Sequence, residues 1–410
     1  MGSAASPGRF WLTRLVSAVL GIGGCFLIQT LSQHSLGDYQ QRLVFLAALY
    51  VTLSVSLNLI NGITGQFSIG HAAFYQIGAY SAGYFSKIYI HDQGHNPPAL
   101  PWLIGVTIVG AGCAAIAGFV VGLPSLRLRG DYLAIVTLGF GEIVRITVQN
   151  TDALGGSYAL QDIPKIHPVW LVWLLALICV AVSRNLVKTA RGLTFLAVRE
   201  DEIASQAMGV DVTRVKVTAF VLGAAFAGAA GSLFAHYEGS ILPTNFTMDV
   251  SFIILTMVVL GGTGSITGSV ISALFLFYLP EYLRGLKASD GQALTVSSTL
   301  IIGGLLSIGI VTGLVKKIME DQRGTPQSRG LIYVGLVAAG VVFVPILNLV
   351  LSTIKPLAEK HIPTDQLRMV IFAVALIVIM LLRPQGLLGH HEFSWSMFGG
   401  SNRGKPEVAT

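Results

Sequence analysis

The sequence has little charge for its length. Only 11% of its 410 residues are Asp, Glu, Lys or Arg, whereas an ordinary soluble domain has about 25%. Hydrophobic residues make up 53% of the chain, and the mean hydropathy is +0.71. This composition argues against a soluble globular protein and is typical of an integral membrane protein.

Cysteine is also scarce, and its pattern argues against metal and redox chemistry. Cys25, Cys113 and Cys179 lie singly in apolar runs, without the C-x-x-C spacing of a metal or redox motif. Basic residues outnumber acidic ones by 26 to 20, but they are dispersed between apolar segments and form no patch interleaved with aromatic residues. We therefore expect no metal and no nucleic acid, and the positive balance fits contact with anionic membrane lipid.

Apolar runs, in contrast, recur along the whole chain. A helix needs about 20 apolar residues to cross a bilayer, and twelve runs approach that length, although one of them is short. The sequence therefore predicts an all-α polytopic membrane protein with about 10–12 transmembrane helices. The runs lie near 10–31, 42–60, 67–90, 101–124, 131–149, 167–183, 214–236, 250–262, 266–284, 294–315, 330–352 and 367–383.

The basic residues predict the orientation of these runs. If the amino terminus is cytoplasmic, 17 of the 26 Lys and Arg residues fall in cytoplasmic segments and 8 fall outside, with Arg145 inside a run. Cytoplasmic loops of membrane proteins carry the excess of Lys and Arg. We therefore expect a multi-pass protein of the inner membrane with both termini in the cytoplasm.

Charge concentrates in one stretch that this orientation places in the cytoplasm, residues 192–210. Apolar and small residues recur there at three- and four-residue spacing, and Gly209 stands where a helix would end. The pattern predicts a short amphipathic helix that contacts either lipid headgroups or a partner protein. Because Glu200, Asp201 and Glu202 would be repelled by an anionic membrane surface, the sequence favours a partner protein.

Two glycine-rich stretches are too polar to be plain transmembrane helices. They share the pattern G-x-x-S-I, at 65–69 and at 262–266. Irregular backbone inside a membrane must be buried in protein or line a cavity, and paired broken segments are typical of transport paths. Alternatively, these glycines only allow helices to pack closely. The candidate path residues are Asn61, Gly65, Gln66, Ser68, His71, Gly262 and Ser265.

One pair of opposite charges lies inside an apolar run. Glu142 and Arg145 are three residues apart, which places them on one face of a helix. Charges inside a membrane are costly unless they are paired and face the bundle interior. We expect an intramembrane ion pair, with either a structural role or a role in gating or the substrate path.

Five motifs, in order along the chain, resemble the LivM-type permease subunit of branched-chain amino acid ABC importers. The resemblance runs from about residue 43 to 287 and resumes at 367–389. Five ordered motifs make the match specific to this family. The motifs are LRLRGDYLAIVTLGFGEIVRI at 126–146, AVREDEIASQAMGVDVTRVKVTAFVLGAAFAGAAGSLFA at 197–235, MVVLGGTGSITG at 257–268, LPEYLR at 279–284 and RPQGLLG at 383–389.

The resemblance implies a non-catalytic membrane subunit that binds no cofactor itself. Its implied partners are a LivH-type permease subunit, two ABC ATPase subunits that use the ATP, and a periplasmic amino-acid-binding protein. In that family a cytoplasmic coupling helix seats in a cleft of the ATPase. The ATPase-coupling residues that it implies here, a polar rim followed by small and apolar positions, are Arg199, Glu200, Asp201, Glu202, Ala204, Ala207, Met208 and Gly209.

The match departs from the family pattern in two places. The acid that usually stands six residues before the glycine is replaced by Ile203, so the role of Glu202, seven residues before Gly209, is open. In addition, residues 288–366 are inserted between the LPEYLR motif and the last apolar run. Two apolar runs joined by a basic loop predict a helical hairpin there, and an even number of spans keeps the carboxyl terminus in the cytoplasm.

These observations divide the chain into five regions and leave two other transport functions open. A urea or amide permease of the ABC class would differ only in the residues that its motifs contain. A secondary transporter would need no ATPase and no coupling helix. The regions are 1–41 with the first transmembrane helix, the permease core 42–287, the insertion 288–366, the last transmembrane helix and RPQGLLG segment 367–389, and the cytoplasmic tail 390–410.

Overall fold

The computed structural model describes residues 21–32, 34, 36–95, 97–125 and 131–285, and two short strands, 295–297 and 361–363. They fall in two units, one ending at Leu274 and the other beginning at Phe275. The α-helices are α1 (Gly21–Ser32), α2 (Asp38–Asn58), α3 (His71–Ser86), α4 (Ala99–Ser125), α5 (Asp131–Gln149), α6 (Val169–Lys188), α7 (Ala190–Glu200), α8 (Glu202–Ala207), α9 (Val212–Glu238), α10 (Met248–Gly261) and α11 (Ile266–Gly285).

Shorter helical turns extend or connect these helices. The π-helical turns are Leu59–Ile63 and Lys87–Asp92, and the 3-10 turns are Asp152–Leu154 and Pro243–Phe246. A π turn holds one residue more per turn than an α-helix and is often found at functional sites. The first of them continues α2 directly, so α2 widens at its carboxyl end before the chain leaves the helix.

Six helices in the described part of the chain are long and apolar enough to cross a membrane, which confirms an all-α polytopic membrane protein. They are Asp38–Ile63, Ala99–Leu123, Tyr132–Gln149, Val169–Lys188, Val212–Glu238 and Pro243–Gly261, and two shorter apolar helices cover Gly21–Ser32 and Ile266–Tyr282. The runs expected at 330–352 and 367–383 lie outside the described residues.

Helices α3, α4 and α9 pack against one another at the centre of the first unit, through glycines. A Cβ atom added to Gly228 of α9 would lie 2.7 Å from the carbonyl oxygen of Gly110 of α4. One added to Gly118 would lie 2.6 Å from the Cβ atom of Ala224. Small residues bring membrane helices close in this way, and the abundance of glycine in the apolar runs therefore has a packing role here.

The segment after α9 turns back into the core. Leu160 and Ile241 form an antiparallel bridge, and Ile241 is fully buried. Phe246 packs on Tyr75 and Tyr80, with ring centroids 4.9 and 5.9 Å apart. Since α10 begins two residues later, this packing fixes the entry to α10.

Two of the expected apolar runs have a different structure. In the run at 67–90, only His71–Ser86 is α-helical, as α3. Irregular backbone precedes α3, and a π turn follows it. Polar residues and glycine at 61–70 prevent a continuous helix. The run at 294–315 was expected to be helical, but Thr295–Ser297 is a strand, β1.

Strand β1 pairs antiparallel with a second strand, β2 (His361–Pro363). Thr295 lies opposite Pro363, and Ser297 lies opposite His361. These six residues are extended, and the rest of the helical hairpin expected at 288–366 lies outside the described residues, so it stays a prediction. The β-branched residues Thr295, Val296 and Ile362 favour extended backbone there.

Candidate functional site

The two broken segments expected from the sequence are in direct contact. Asn58, at the last position of α2 and fully buried, joins them. Its Nδ2 donates to the carbonyl oxygen of Ser265 at 3.0 Å, and its Oδ1 accepts from the backbone N–H of Gly264 at 2.9 Å. One side chain at the end of α2, just before the first broken segment, therefore satisfies both a donor and an acceptor of the second.

Asn61 closes the first broken segment on itself. Its side-chain amide donates to the carbonyl oxygen of Ser68 at 3.0 Å and accepts from the N–H of the same residue at 3.2 Å. Gln66 Nε2 donates to Thr64 Oγ1 at 3.2 Å. Both Gln66 and Ser68 are buried, so these polar side chains hold irregular backbone inside the protein.

His71 begins α3 and is fully buried. Its Nε2 lies 2.8 Å from Ser56 Oγ of α2, so the helices on either side of the first break are hydrogen-bonded to each other. The next residue, Ala72, donates its N–H to Ser251 Oγ of α10 at 3.0 Å. The start of α3 is thus fixed by side chains from two other helices.

The second broken segment, Gly262 to Ser265, is a tight turn between α10 and α11. The N–H of Ser265 donates to the carbonyl oxygen of Gly262 at 3.0 Å. Ser265 Oγ accepts from the N–H of Gly268 at 3.1 Å and satisfies a donor in the first turn of α11. Ser265 therefore caps the helix that follows the break.

Glycine is required where the two segments touch. A Cβ atom added to Gly62 would collide with the backbone nitrogen of Gly264. Gly65 and Gly264 have φ angles of +69° and +93°, a region that residues with a Cβ atom rarely adopt. The glycines in and just before the shared G-x-x-S-I stretches therefore serve close contact between the segments, at Gly62 and Gly264, as well as the turns themselves.

The predicted coupling helix is two helices rather than one. The chain breaks at Asp201, which has extended backbone at φ −151° and ψ 110°. Its Oδ1 accepts from the N–H groups of Ile203 and Ala204 at 2.9 and 3.0 Å, which makes it the N-cap of α8. The prediction of one helix over 192–210 was wrong because an acid that fits an amphipathic pattern also caps helices well.

The two coupling helices, α7 and α8, are bonded to the core by charged side chains. Arg199 Nη1 donates to the carbonyl oxygen of Gly62 at 3.1 Å, and its Nη2 pairs with Glu200 Oε1 at 2.9 Å. Glu202 Oε2 lies 2.8 Å from Lys216 Nζ in the first turns of α9. The structure thus connects α7 to the first broken segment and α8 to a transmembrane helix.

Helices α7 and α8 also expose apolar side chains. Met208 is 85% exposed, and Ile203 and Leu193 are each about two thirds exposed. Ala204 and Ala207 are exposed as well. Gly209 ends the helical segment with a φ angle of +85°.

Glu142 and Arg145 form an ion pair on α5. Nε and Nη2 of Arg145 lie 2.9 and 2.6 Å from the same oxygen, Glu142 Oε2. Each side chain is about one quarter exposed. Glu142 lines a small cleft together with its α5 neighbours Leu138 and Gly141 and with residues at the starts of α3 and α10, namely Ile69, Gly70, Ala72, Ala73, Phe246, Thr247, Met248 and Ser251.

Comparison with known proteins identifies the family. The sequence profile of the family described as "branched-chain amino acid transport system / permease component" matches residues 41–310, about two thirds of the chain. This chain belongs to that family. The match takes in most of α2 and all of α3 to α11, and so both broken segments and helices α7 and α8 lie within it.

Individual relatives of this permease carry the same description. It is 35% identical over 301 residues to the high-affinity branched-chain amino acid transport system permease protein LivM of Escherichia coli, covering 65% of this chain and 67% of the relative. It is 29% identical over 262 residues to the probable LivM of Methanocaldococcus jannaschii, covering 55% and 76%. The LivH permease protein of Escherichia coli is 25% identical over 294 residues, covering 66% and 92%. No solved structure matches the chain.

Of the residues predicted for the path of this permease, Ser265 takes part in the contact between the breaks, through Asn58, whereas Asn61 and Ser68 bond to each other within the first segment. The cleft beside Glu142 is lined by neighbours of the predicted residues. Gln66, Ser68 and His71 turn towards the protein interior, whereas Ile69 and Gly70 line the cleft. In the described part of the chain, no group of three or more His, Cys, Asp and Glu side chains is placed to hold a metal ion.

Three residues that the sequence analysis did not single out have central positions in this permease. Asn58 joins the breaks, Lys216 anchors α8, and Ser251 holds the start of α3. Asn58 gave a signal, since a carboxamide four residues before Gly62 has to find partners inside an apolar run. Ser251 gave none, because its partner Ala72 is far away in sequence, and Lys216 gave none, because its pairing with Glu202 depends on how α8 and α9 pack.

Proposed function

We propose that this permease is the membrane-spanning subunit of an ATP-driven importer that carries branched-chain amino acids across the bacterial inner membrane. The family match and the names of the LivM relatives support this substrate class. Helices that break inside the protein are what a transport path requires, because a path needs backbone that can rearrange without facing lipid.

The working transporter contains further subunits in this proposal. The chain is similar to both LivM and LivH proteins, which supports pairing with a LivH-type permease subunit related to itself. Two ABC ATPase subunits bind and hydrolyse ATP, and a periplasmic amino-acid-binding protein delivers the substrate. This chain itself hydrolyses nothing and needs no cofactor. The positive-inside distribution supports cytoplasmic termini.

One observation carries the coupling step. The exposed apolar side chains of α7 and α8 belong to the same segment whose Arg199 and Glu202 are bonded to the core. An ATPase that seats Ile203 and Met208 in an apolar cleft would therefore hold a segment attached to the transport elements. Closure of the ATPase dimer moves that segment and shifts the core between two packings.

The path itself runs beside the breaks in this proposal. The cleft lined by Glu142, Gly70 and Ser251 lies where α3 and α10 begin. The amino ends of helices favour negative charge, and the substrate carries a carboxylate at neutral pH. We place the amino acid's route along this cleft, with the contact between the breaks as the element that opens and closes it.

The experiment is amino-acid uptake by the co-expressed transporter in proteoliposomes. Labelled leucine should be taken up only with ATP, the binding protein and both ATPases present. Aspartate at exposed positions of α8, Ala204→Asp with Ala207→Asp, should abolish both uptake and co-purification of the ATPases. Thr213→Asp is the matched control, because Thr213 is also exposed but lies on α9, outside α7 and α8.

Other outcomes separate the competing functions. Uptake of urea in place of leucine would assign the chain to the amide permeases. Uptake that persists without any ATPase would make it a secondary transporter. Normal uptake and normal ATPase binding by the double aspartate variant would refute docking through α8.

A further inference from the structure

We infer that Arg199 is a positioning residue that latches the two broken segments together and releases them when α7 moves. The inference rests on the proposed function for its role in transport, but not for the existence of the latch. It assigns to one side chain the connection between the coupling helices and the part of the core that must rearrange.

The contacts of Arg199 span both breaks. Its Nη1 donates to the carbonyl oxygen of Gly62 at 3.1 Å. The same nitrogen lies so close to Gly264 that a Cβ atom there would be 2.6 Å from it. The Cγ atom of Arg199 covers Gly65, where a Cβ atom would meet it at 2.9 Å. A single guanidinium with its stem thus fills the space between three glycines, two from the first break and one from the second.

The position also suits a cation. Gly62 lies in the last turn of the helical segment that α2 and Leu59–Ile63 form, where carbonyl groups have no partner further along the helix. Positive charge is favoured at the carboxyl end of a helix. Arg199 is only 20% exposed, so its hydrogen bond to Gly62 competes little with water.

Arginine fits this role better than lysine would. Its Nε and Nη2 bond to Glu200 Oε1 at 3.3 and 2.9 Å, while Nη1 remains directed at Gly62. A planar fork with several donors satisfies two partners in fixed directions, whereas an ammonium group is a point charge on a flexible stem. Glu200 is 74% exposed and ends α7 two positions before α8 begins, so the latch is oriented by a residue next to the segment proposed to dock.

A buried reporter tests the latch without partner subunits or substrate. Ser68 is fully buried, and its Oγ has no hydrogen-bond partner among the described residues, so Ser68→Cys loses no bond. In a chain whose native Cys25, Cys113 and Cys179 are replaced by alanine, we would measure the rate of maleimide labelling in membrane vesicles. Arg199→Ala should raise this rate about tenfold, because a charge-assisted hydrogen bond that closes the segment is lost.

Two further variants keep the test decisive. Arg199→Lys retains the charge, and its labelling rate should exceed that of the Ser68→Cys reporter chain by less than about tenfold. This variant tests the latch even if the alanine variant does not insert. Arg214→Ala is the matched control: Arg214 also pairs with a nearby acid, Asp211, but is 86% exposed and touches neither break. Unchanged labelling in both Arg199 variants, or an equal rise in the Arg214 variant, would overturn the latch.

The transport role has its own readout in the assembled transporter. Arg199→Ala should keep ATP hydrolysis, leave the KM for the amino acid unchanged and raise the number of ATP molecules consumed per amino acid about tenfold. Faster labelling with normal coupling would show that Arg199 holds the breaks but transmits nothing. Because labelling needs neither ATP nor substrate, a wrong assignment of the function would leave the labelling result intact.

Discussion

Lys216 Nζ lies 2.8 Å from Glu202 Oε2, and the side chain of Lys216 is only 8% exposed. This ion pair joins the short helix α8 to the amino end of α9. A buried lysine needs a partner that compensates its charge. Glu202, whose role the sequence left open, therefore anchors the coupling segment to a transmembrane helix.

Removing Glu202 should loosen α8 and leave Lys216 buried without a partner. Glu202→Gln is expected to destabilise the local structure by about 1–3 kcal/mol, since one partner of a buried pair is lost. Limited proteolysis at 201–211 would measure the loosening. The double variant with Lys216→Met should regain part of the loss, because it removes the unpaired charge. Greater sensitivity in the double variant than in Glu202→Gln would contradict this account.

Replacing Asn58 should separate the two breaks. Asn58→Ala removes both hydrogen bonds to the second segment and leaves Gly264 N–H and the Ser265 carbonyl without that partner. We expect a loss of about 2–4 kcal/mol in thermal stability and loss of uptake. Thr52→Val is the matched control: Thr52 is buried in the same helix, but its hydroxyl donates to Ala48 of its own helix. An equal effect of the two changes would make Asn58 an ordinary core residue.

The glycine packing of α4 predicts a difference between two positions of one helix. At Gly118 an added Cβ atom would lie 2.6 Å from Ala224 Cβ and 2.9 Å from the carbonyl oxygen of Phe220. At Gly112 it would meet no atom within 4 Å. Gly118→Ala should cost about 1–3 kcal/mol in detergent thermal unfolding, whereas Gly112→Ala should be neutral. Equal midpoints would mean that α4 and α9 adjust to the extra volume.

Deleting 288–366 should keep the carboxyl terminus on its side of the membrane. The sequence predicts two spans there, and strands β1 and β2 pair near the two ends of the insertion. A carboxyl-terminal fluorescent or phosphatase reporter would give the side. Deleting the single predicted span 330–352 is the control and should invert the reporter. A reporter outside after the full deletion would refute the even number of spans.

The sequence was sufficient for the fold class because the strongest signals of a membrane protein are local. The length and hydropathy of apolar runs predict helices such as α6 and α9 directly, within a few residues of their ends. The three-residue spacing of Glu142 and Arg145 likewise predicts a pair on one helix face. Signals of this kind need no knowledge of the tertiary structure.

Boundaries that depend on one residue were harder to predict. The coupling helix breaks at Asp201 because the carboxylate caps the next helix, yet the periodic pattern continues across it. Strand β1 lies within an apolar run for which the sequence predicted a helix. Hydropathy alone does not separate a strand from a helix. Contacts such as Asn58 with Gly264, or Arg199 with Gly62, join residues more than 130 positions apart, and one sequence contains no signal for such pairs.

Helix α9 is a single uninterrupted rod. Its 27 residues contain no proline and span about 40 Å, and its two ends are tied by charge, to Glu202 at one end and through Glu238 to Arg42 at the other. In the proposed importer, a push that the ATPases deliver at the Glu202 end of α9 meets no hinge within the helix. It would arrive at the Glu238 end as a displacement of similar size, so one helix would suffice to carry it between the two membrane surfaces.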